Sequence, residues 1–454
     1  MLILTTVAFE GLAITTIAPA LAQSLQGIHL YGWIFSAFLL SQIIGTMVIG
    51  QQLDKHGVFR SILVSFAIFT IGIVVAATAF HMYMMIAGRA LQGFGAGALS
   101  TCVYYSVTLR YPDALRTKIL AAFSMAFVIP ALIGPYVAGL IAAYVSWRWV
   151  FWIVLPLIAL ALSLTLPSFR HLYSNGPTAP RGRKKEIYAI LLAIGTGLLL
   201  TGLGEILKWW GMMLAVAGVC MMIRPLQLLL PEGTFKMKQG LPATMVTRAL
   251  YVACYFATES YVVLALTQVK GLSEEVAGLI VAAGALSWST AAWVQSKLDE
   301  RDLGRGRRSR VTYGIGIMIV GVLLVMMAIG LPGGGIVLAL TSQIIIGFGV
   351  GLANPTTGAI ALQYAQAGKE GEVSATLQFV DSFSIGLSIG LSGALIALSE
   401  TFQWGILTGV LIALSLQLCF VLLSLLASFR ITIRGSAGTH AYEETLSSGT
   451  SNSM

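Results

Sequence analysis

The sequence predicts an all-α integral membrane protein of fourteen transmembrane helices, arranged as two six-helix bundles with two extra helices between them. Three observations carry this. Of 454 residues 57% are hydrophobic and only 10% are charged, where a soluble domain would carry about 25% charged residues. The apolar residues gather into runs long enough to cross a bilayer. The basic residues fall in every second loop, as they do when successive loops lie on opposite sides of a membrane.

The runs lie at about 1–22, 30–51, 61–80, 82–107, 119–143, 147–167, 187–204, 209–223, 242–266, 274–294, 311–331, 334–360, 373–399 and 404–427. Each is expected to be a helix, because inside lipid the backbone must satisfy its own hydrogen bonds. The eighth run is the shortest and ends before Arg224 and Pro225. The chain opens on an apolar run with neither a charged region before it nor a small-residue cleavage site after it. That run is read as a span and not as a signal peptide.

Lys55 and Arg60 follow the second span, and Arg110, Arg116 and Lys118 the fourth. "RGRKK" (181–185) follows the sixth, Lys236 and Lys238 the eighth, and "KLDERDLGRGRRSR" (297–310) the tenth. Arg430 and Arg434 follow the last. The opposite loops hold only Arg148, Lys208 and Lys270. The positive-inside rule then places both termini in the cytoplasm. The net charge of +9 is thereby explained by topology, and no nucleic-acid partner is expected.

Four segments of the front half echo the back half in order. Gly93 in "LQGFGAGALS" corresponds to Gly347 in "IIIGFGVGLAN", and Asp54 to Asp299. "VAGLIAA" (137–143) corresponds to "LSGALIAL" (391–398), and Glu10 to Glu259. Parallel halves related in this way place a substrate site at mid-membrane between them. The expected organisation is a bundle over 1–167, a linker with two extra spans over 168–240, a second bundle over 241–427 and a disordered cytoplasmic tail over 428–454.

Four motifs carry more specific information. "GQQLDKHGVFRS" after the second span contains Gly50, Asp54, Gly57 and Arg60; Gly50 permits close helix approach and Gly57 a tight turn. "GRALQGFGAG" contains Arg89, Gln92, Gly93, Gly95 and Gly97. Arg89 lies seven residues into its run, roughly 10 Å at 1.5 Å per residue, and a charge at that depth is functional by default. The glycines make room for a neighbouring helix. "PALIGPYVAG" contains Pro130, Gly134, Pro135 and Gly139, a pattern that bends a helix and admits a close neighbour. In the first span Glu10 stands nine places before Pro19.

Together these motifs resemble the major facilitator superfamily, and within it the fourteen-helix drug:proton antiporter branch. The likeness covers nearly the whole chain. Val58 and Phe59 stand where that family has a basic pair, Pro130 where it has a glycine and Ala138 where it has another. The resemblance implies that Asp54 pairs with a cytoplasmic arginine as a gate and that Arg89 takes part in proton coupling. It implies that "GPYVAG" marks an exporter. It further implies a monomer in a bacterial plasma membrane, driven by the proton gradient, with no other cofactor.

The candidate chemistry lies in three acids at membrane depth, Glu10, Glu259 and Asp381, none with a local partner in sequence. Glu205 has Lys208 close by and reads as an interfacial pair. Low dielectric favours a neutral carboxyl over a carboxylate, and a cationic ligand favours the reverse. That competition is enough to couple export to proton entry. The expected substrate is a small amphipathic or cationic molecule, with the three acids lining the cavity and at least one carrying the proton. An exporter of a siderophore, metabolite or lipid is the alternative, and a proton symporter the next. Trp33, Phe35, Tyr104, Tyr251, Tyr255 and Tyr261 could stack on planar cations. Asn354 and Pro355 suggest a broken or bent twelfth helix.

Cys102, Cys220, Cys254 and Cys419 lie within apolar runs without metal-ligand spacing and are expected to be buried thiols. No phosphate-binding GxxxxGK[ST] loop and no catalytic constellation is present, so neither an ATP-driven pump domain nor an enzyme is expected.

Overall fold

The computed structural model describes residues 2–110, 128–169, 184–331, 335–365 and 370–433, without a small number of side chains, those at 51 and 54–56 among them. Every regular element among these residues is helical. The α-helices are α1 (Leu2–Ser24), α2 (Tyr31–Ala77), α3 (Met82–Arg110), α4 (Val128–Tyr144), α5 (Trp147–Trp152), α6 (Val154–Phe169) and α7 (Lys184–Gly204). They continue as α8 (Trp209–Leu229), α9 (Leu241–Gln268), α10 (Glu274–Asp302), α11 (Arg307–Gly330), α12 (Ile336–Gln363), α13 (Glu370–Thr401) and α14 (Gly405–Ser428). Helix α2 merges the second and third expected spans across a break at Gly57, whose φ of 75° and ψ of 169° only a glycine adopts readily. Helices α5 and α6 together make the sixth span.

Twelve stretches among the described residues are long and apolar enough to cross a membrane, against fourteen expected. The two that fall short have identifiable causes. Helix α3 carries Arg89, Gln92 and four glycines, which lower its hydropathy. Helix α4 is described only from Val128, with a short apolar stretch at Ile133–Tyr144. Helix α8 is longer than expected: Arg224 and Pro225 do not end it, and it runs on to Leu229. Helix α12 is continuous through Pro355, so of the expected break or bend the break is absent. The expected tail lies outside the described residues from 434 onward.

The internal repeat has a physical counterpart in how two glycine helices seat. A Cβ added at Gly93 would lie 2.0 Å from the carbonyl oxygen of Phe38, and one at Gly97 would lie 2.1 Å from that of Gln42. Both carbonyls belong to the first span of α2. In the second half, a Cβ added at Gly347 would lie 2.2 Å from the carbonyl oxygen of Gly284 and one at Gly351 2.4 Å from that of Trp288, both on α10. Gly95 seats on Phe69, and Gly349 on Gly314 and Met318. Each glycine helix is thus wedged between its two neighbours with no space for a side chain, the arrangement that small-residue stripes permit.

The two halves approach most closely at the end of the bundle opposite the basic loops. There Tyr31 donates to the Ser260 carbonyl at 2.8 Å and Ser36 to that of Gly386 at 2.7 Å. Helix α4 meets α10 through Gly139, where a Cβ would lie 2.6 Å from the Glu274 carbonyl oxygen, and through Gly278 against Pro135. Gly139→Val is therefore expected to force this end apart. Spin labels across it would report a wider distance than in the parent chain; an unchanged distance would refute the packing argument.

Helices α7 and α8 pair through glycines, Gly202 against Ala215 and Gly218 against Gly195, and present exposed apolar faces such as Ile194 and Val216. Cys102 and Cys254 are buried as expected, but Cys220 and Cys419 are exposed, because each sits on the outward face of a peripheral helix. Glu205 and Lys208 form an exposed pair at 2.6 Å.

Candidate functional site

Arg89 enters the first half from the glycine-rich α3 and is 1% exposed. Its Nη1 donates to the carboxylate of Glu10 on α1 and, at 2.5 Å, to Gln92 Oε1; its Nε donates to the Ile34 carbonyl at 2.9 Å. The guanidinium also lies over the Phe38 ring, 4.4 Å from its centroid. Gln92 in turn donates to the Gly72 carbonyl at 3.2 Å. The pair therefore ties α1, α2 and α3 together. Glu10 has a partner 79 residues away, which no local reading could supply. Its second oxygen has no hydrogen bond, and its side chain is only 2% exposed. Glu10 is therefore sealed in this conformation and does not line an open cavity.

The second half has its own pair. Arg248, on the early turns of α9, holds Asp381 of α13 through two parallel bonds, Nε to Oδ1 at 2.8 Å and Nη2 to Oδ2 at 2.7 Å. Its Nη1 donates to the Asn354 carbonyl at 2.9 Å and to Thr357 Oγ1 at 3.1 Å. Tyr251 meets Thr357 Oγ1 at 2.6 Å. Two-point contact of this kind fixes orientation as well as charge. Asp381 differs from Glu10 in access, its side chain being 25% exposed. Arg248 was not a candidate from sequence, although an arginine inside an apolar run was the same signal that singled out Arg89. Its place near the basic end made it resemble an ordinary topology residue.

Glu259 is different from both. It is 3% exposed, Oε2 has no hydrogen-bond partner, and no arginine or lysine among the described residues pairs with it. It sits on α9 one turn from Tyr255. Of the residues from 251 to 266 on that helix, Phe256 alone is not fully buried. Tyr255, Phe256 and Trp288 form a cluster, with ring centroids 5.0 Å apart for Tyr255 and Trp288 and 5.1 Å for Tyr255 and Phe256. Trp288 lies two residues from Leu286 on α10, about 200° round the helix. Leu279, Leu286 and Trp293 form that helix's exposed stripe, so the open part of Trp288 faces the interior. Phe256 and Trp288 are thus accessible aromatics that sequence reasoning missed. Tyr251 and Tyr261, which it named, are buried with engaged hydroxyls.

Among the gate residues, Asp299 receives Arg307 Nη2 and Arg310 Nη2, each at 2.5 Å, and Asp302 receives Arg310 Nη1 at 2.7 Å. Asp299 and Asp302 end α10 and Arg307 and Arg310 begin α11, so this cluster staples one half. The side chain of Asp54, and with it the expected arginine partner, lies outside what is described. A Cβ added at Gly50 would meet nothing within 4 Å among the described residues, so the close helix approach expected there is not seen, and Arg60 is exposed. Pro130 and Gly134 are buried in α4, with Gly134 facing Phe9 and Leu12 of α1.

Two helical halves, glycine helices wedged in the same way in each, and buried ion pairs at membrane depth describe a transporter core. The sequence profile of the Major Facilitator Superfamily matches residues 1–389. The chain belongs to the major facilitator superfamily. It is a transporter of that superfamily and not an enzyme. It is 23% identical over 289 residues to the multidrug efflux pump SdrM of Staphylococcus aureus, covering 62% of this chain and 64% of that protein. It is 26% identical over 405 residues to the probable multidrug-efflux transporter Rv1634 of Mycobacterium tuberculosis, covering 84% of this chain and 83% of that protein. Among solved structures it is similar to an auto-inhibited POT family peptide transporter, with a TM-score of 0.65, 18% identity and 94% of each chain covered. These likenesses to solved structures, the nucleoside transporter NupG included at a TM-score of 0.61, 13% identity and coverage of 94% of this chain and 98% of that one, show the superfamily fold.

Proposed function

We propose that this protein is a proton-coupled exporter of amphipathic or cationic small molecules, working as a monomer by alternating access in a bacterial plasma membrane. In this reading all fourteen runs cross the membrane, 1–167 and 241–427 are the two bundles, and the basic end faces the cytoplasm. The observation that carries it is the unequal state of the three acids. Arginine neutralises Glu10 and Asp381, while Glu259 is buried with no cation beside it among the described residues.

An unpaired carboxylate at membrane depth is costly. Glu259 is therefore read as carrying a proton whenever its surroundings are closed. A cation held on the ring faces of Phe256 and Trp288 favours the charged form through its own charge. Proton and substrate then compete for one site, and each stabilises a different state of the halves. The tight contact of the halves away from the basic end supports reading this conformation as closed on that side. The relatives described as multidrug efflux transporters support the direction of transport and the substrate class.

The test is efflux of ethidium from energised cells, with and without an uncoupler. Uncoupler-sensitive efflux by the parent chain is the expected result. Absence of efflux for a panel of cations, in a well-folded protein, would replace this reading with an exporter of one specific metabolite.

A further inference from the structure

At the basic end of the bundle, the turn between α8 and α9 and the last turns of α14 enclose a cleft of about 320 Å³. Phe235, Lys236, Met237, Leu423, Leu426 and Arg430 line it, and no carboxylate does. Glu232 precedes Lys236 by one turn but makes no ion pair among the described residues. The turn is a built element. Thr234 is buried and donates to the Pro231 carbonyl at 2.6 Å. Gly233 and Met237 both hold left-handed backbone, at φ 89° and 46°. A non-glycine residue keeps that conformation only where its surroundings impose it.

The cleft offers cationic donors with little to bind. Arg430 reaches the carbonyls of Lys236 and Met237 only at 3.5 and 3.4 Å, both through Nη1. Its other nitrogens and the Lys236 ammonium have no partner among the described residues. Beside them stands an apolar wall open to the outside. Phe235 and Leu426 are each 63% exposed, and Leu423 and Phe429 are also exposed.

We infer that this cleft binds an anionic phospholipid, its phosphate between Lys236 and Arg430 and its acyl chains along Leu423 and Leu426. Charge decides the headgroup: guanidinium and ammonium donors without a nearby acid complement a phosphodiester, and basic clusters at a membrane surface attract anionic lipid. The wall favours a lipid over a soluble anion: Leu423 and Leu426 lie on a membrane span and are exposed, so the cleft opens where acyl chains lie. The bound lipid would bridge the end of α14 to the turn that leads from the inserted helices into the second half.

The experiment is native mass spectrometry of the full chain in detergent, with phosphatidylglycerol or phosphatidylcholine added. The parent chain is expected to retain phosphatidylglycerol in preference. Lys236→Gln/Arg430→Gln is expected to lower that preference several-fold, and Lys297→Gln/Arg301→Gln, outside the cleft at the same end, to leave it unchanged. Lys236→Arg/Arg430→Lys keeps the charge and should keep the preference, which reads the site even if the glutamine variant folds poorly. Equal retention of the two lipids by the parent chain would overturn the inference. So would an equal fall in both glutamine variants.

Discussion

Glu259→Gln is expected to reduce driven efflux to the level seen with an uncoupler, while substrate-for-substrate exchange continues. The reason lies in what the substitution leaves in place. Glutamine has nearly the shape of the protonated acid and removes no ion pair, because Glu259 has none among the described residues. No buried cation is orphaned, so the protein should retain its parent thermal midpoint. What is lost is the ability to exist in two protonation states, which is the quantity a proton gradient acts upon. Efflux and exchange measured side by side in proteoliposomes separate the two effects. If driven efflux persisted at the parent rate, Glu259 would be a packing residue, and the partly open Asp381 would become the candidate carrier. If exchange were lost as well, the residue would serve binding and not coupling alone.

This experiment differs from what sequence alone recommended, which treated Glu10, Glu259 and Asp381 as equivalents. Their depth and the glycine pattern around Arg89 were legible, because hydropathy and small-residue spacing are local properties of a helix. Twelve of the fourteen expected spans were legible for the same reason, as was the turn at Gly57. The pairing was not. Glu10 meets Arg89 across 79 residues and Arg248 meets Asp381 across 133, and only the packing of α1 on α3 and of α9 on α13 brings them together. Arg248 was legible in principle, as an arginine inside an apolar run, but its nearness to the basic end hid it. Access was the other illegible quantity. Phe256 and Trp288 read as ordinary apolar residues until neighbouring helices cover most of α9 and leave one gap, and Cys220 and Cys419 read as buried until their helices turn outward.

Arg89→Gln is expected to destabilise the protein by about 3–5 kcal/mol, the usual result of removing one member of a buried ion pair. Glu10→Gln should cost a comparable amount, since it leaves the guanidinium without its carboxylate in the most enclosed part of the first half. The double variant Glu10→Gln/Arg89→Gln should be more stable than either single one, because a neutral pair no longer carries an uncompensated charge. Recovery should still be incomplete. Arg89 also donates to the Ile34 carbonyl and to Gln92, and each buried acceptor left without a donor costs about 1–3 kcal/mol. A glutamine amide at position 89 is too short to serve both. Thermal unfolding of the four detergent-solubilised proteins gives the coupling between the two positions directly. A large favourable coupling, with the double variant above both singles, is what a sealed ion pair requires. Additive losses would mean that Arg89 acts mainly through Ile34, Gln92 and the Phe38 ring. Glu10 would then be free to titrate, which would return it to the list of proton carriers.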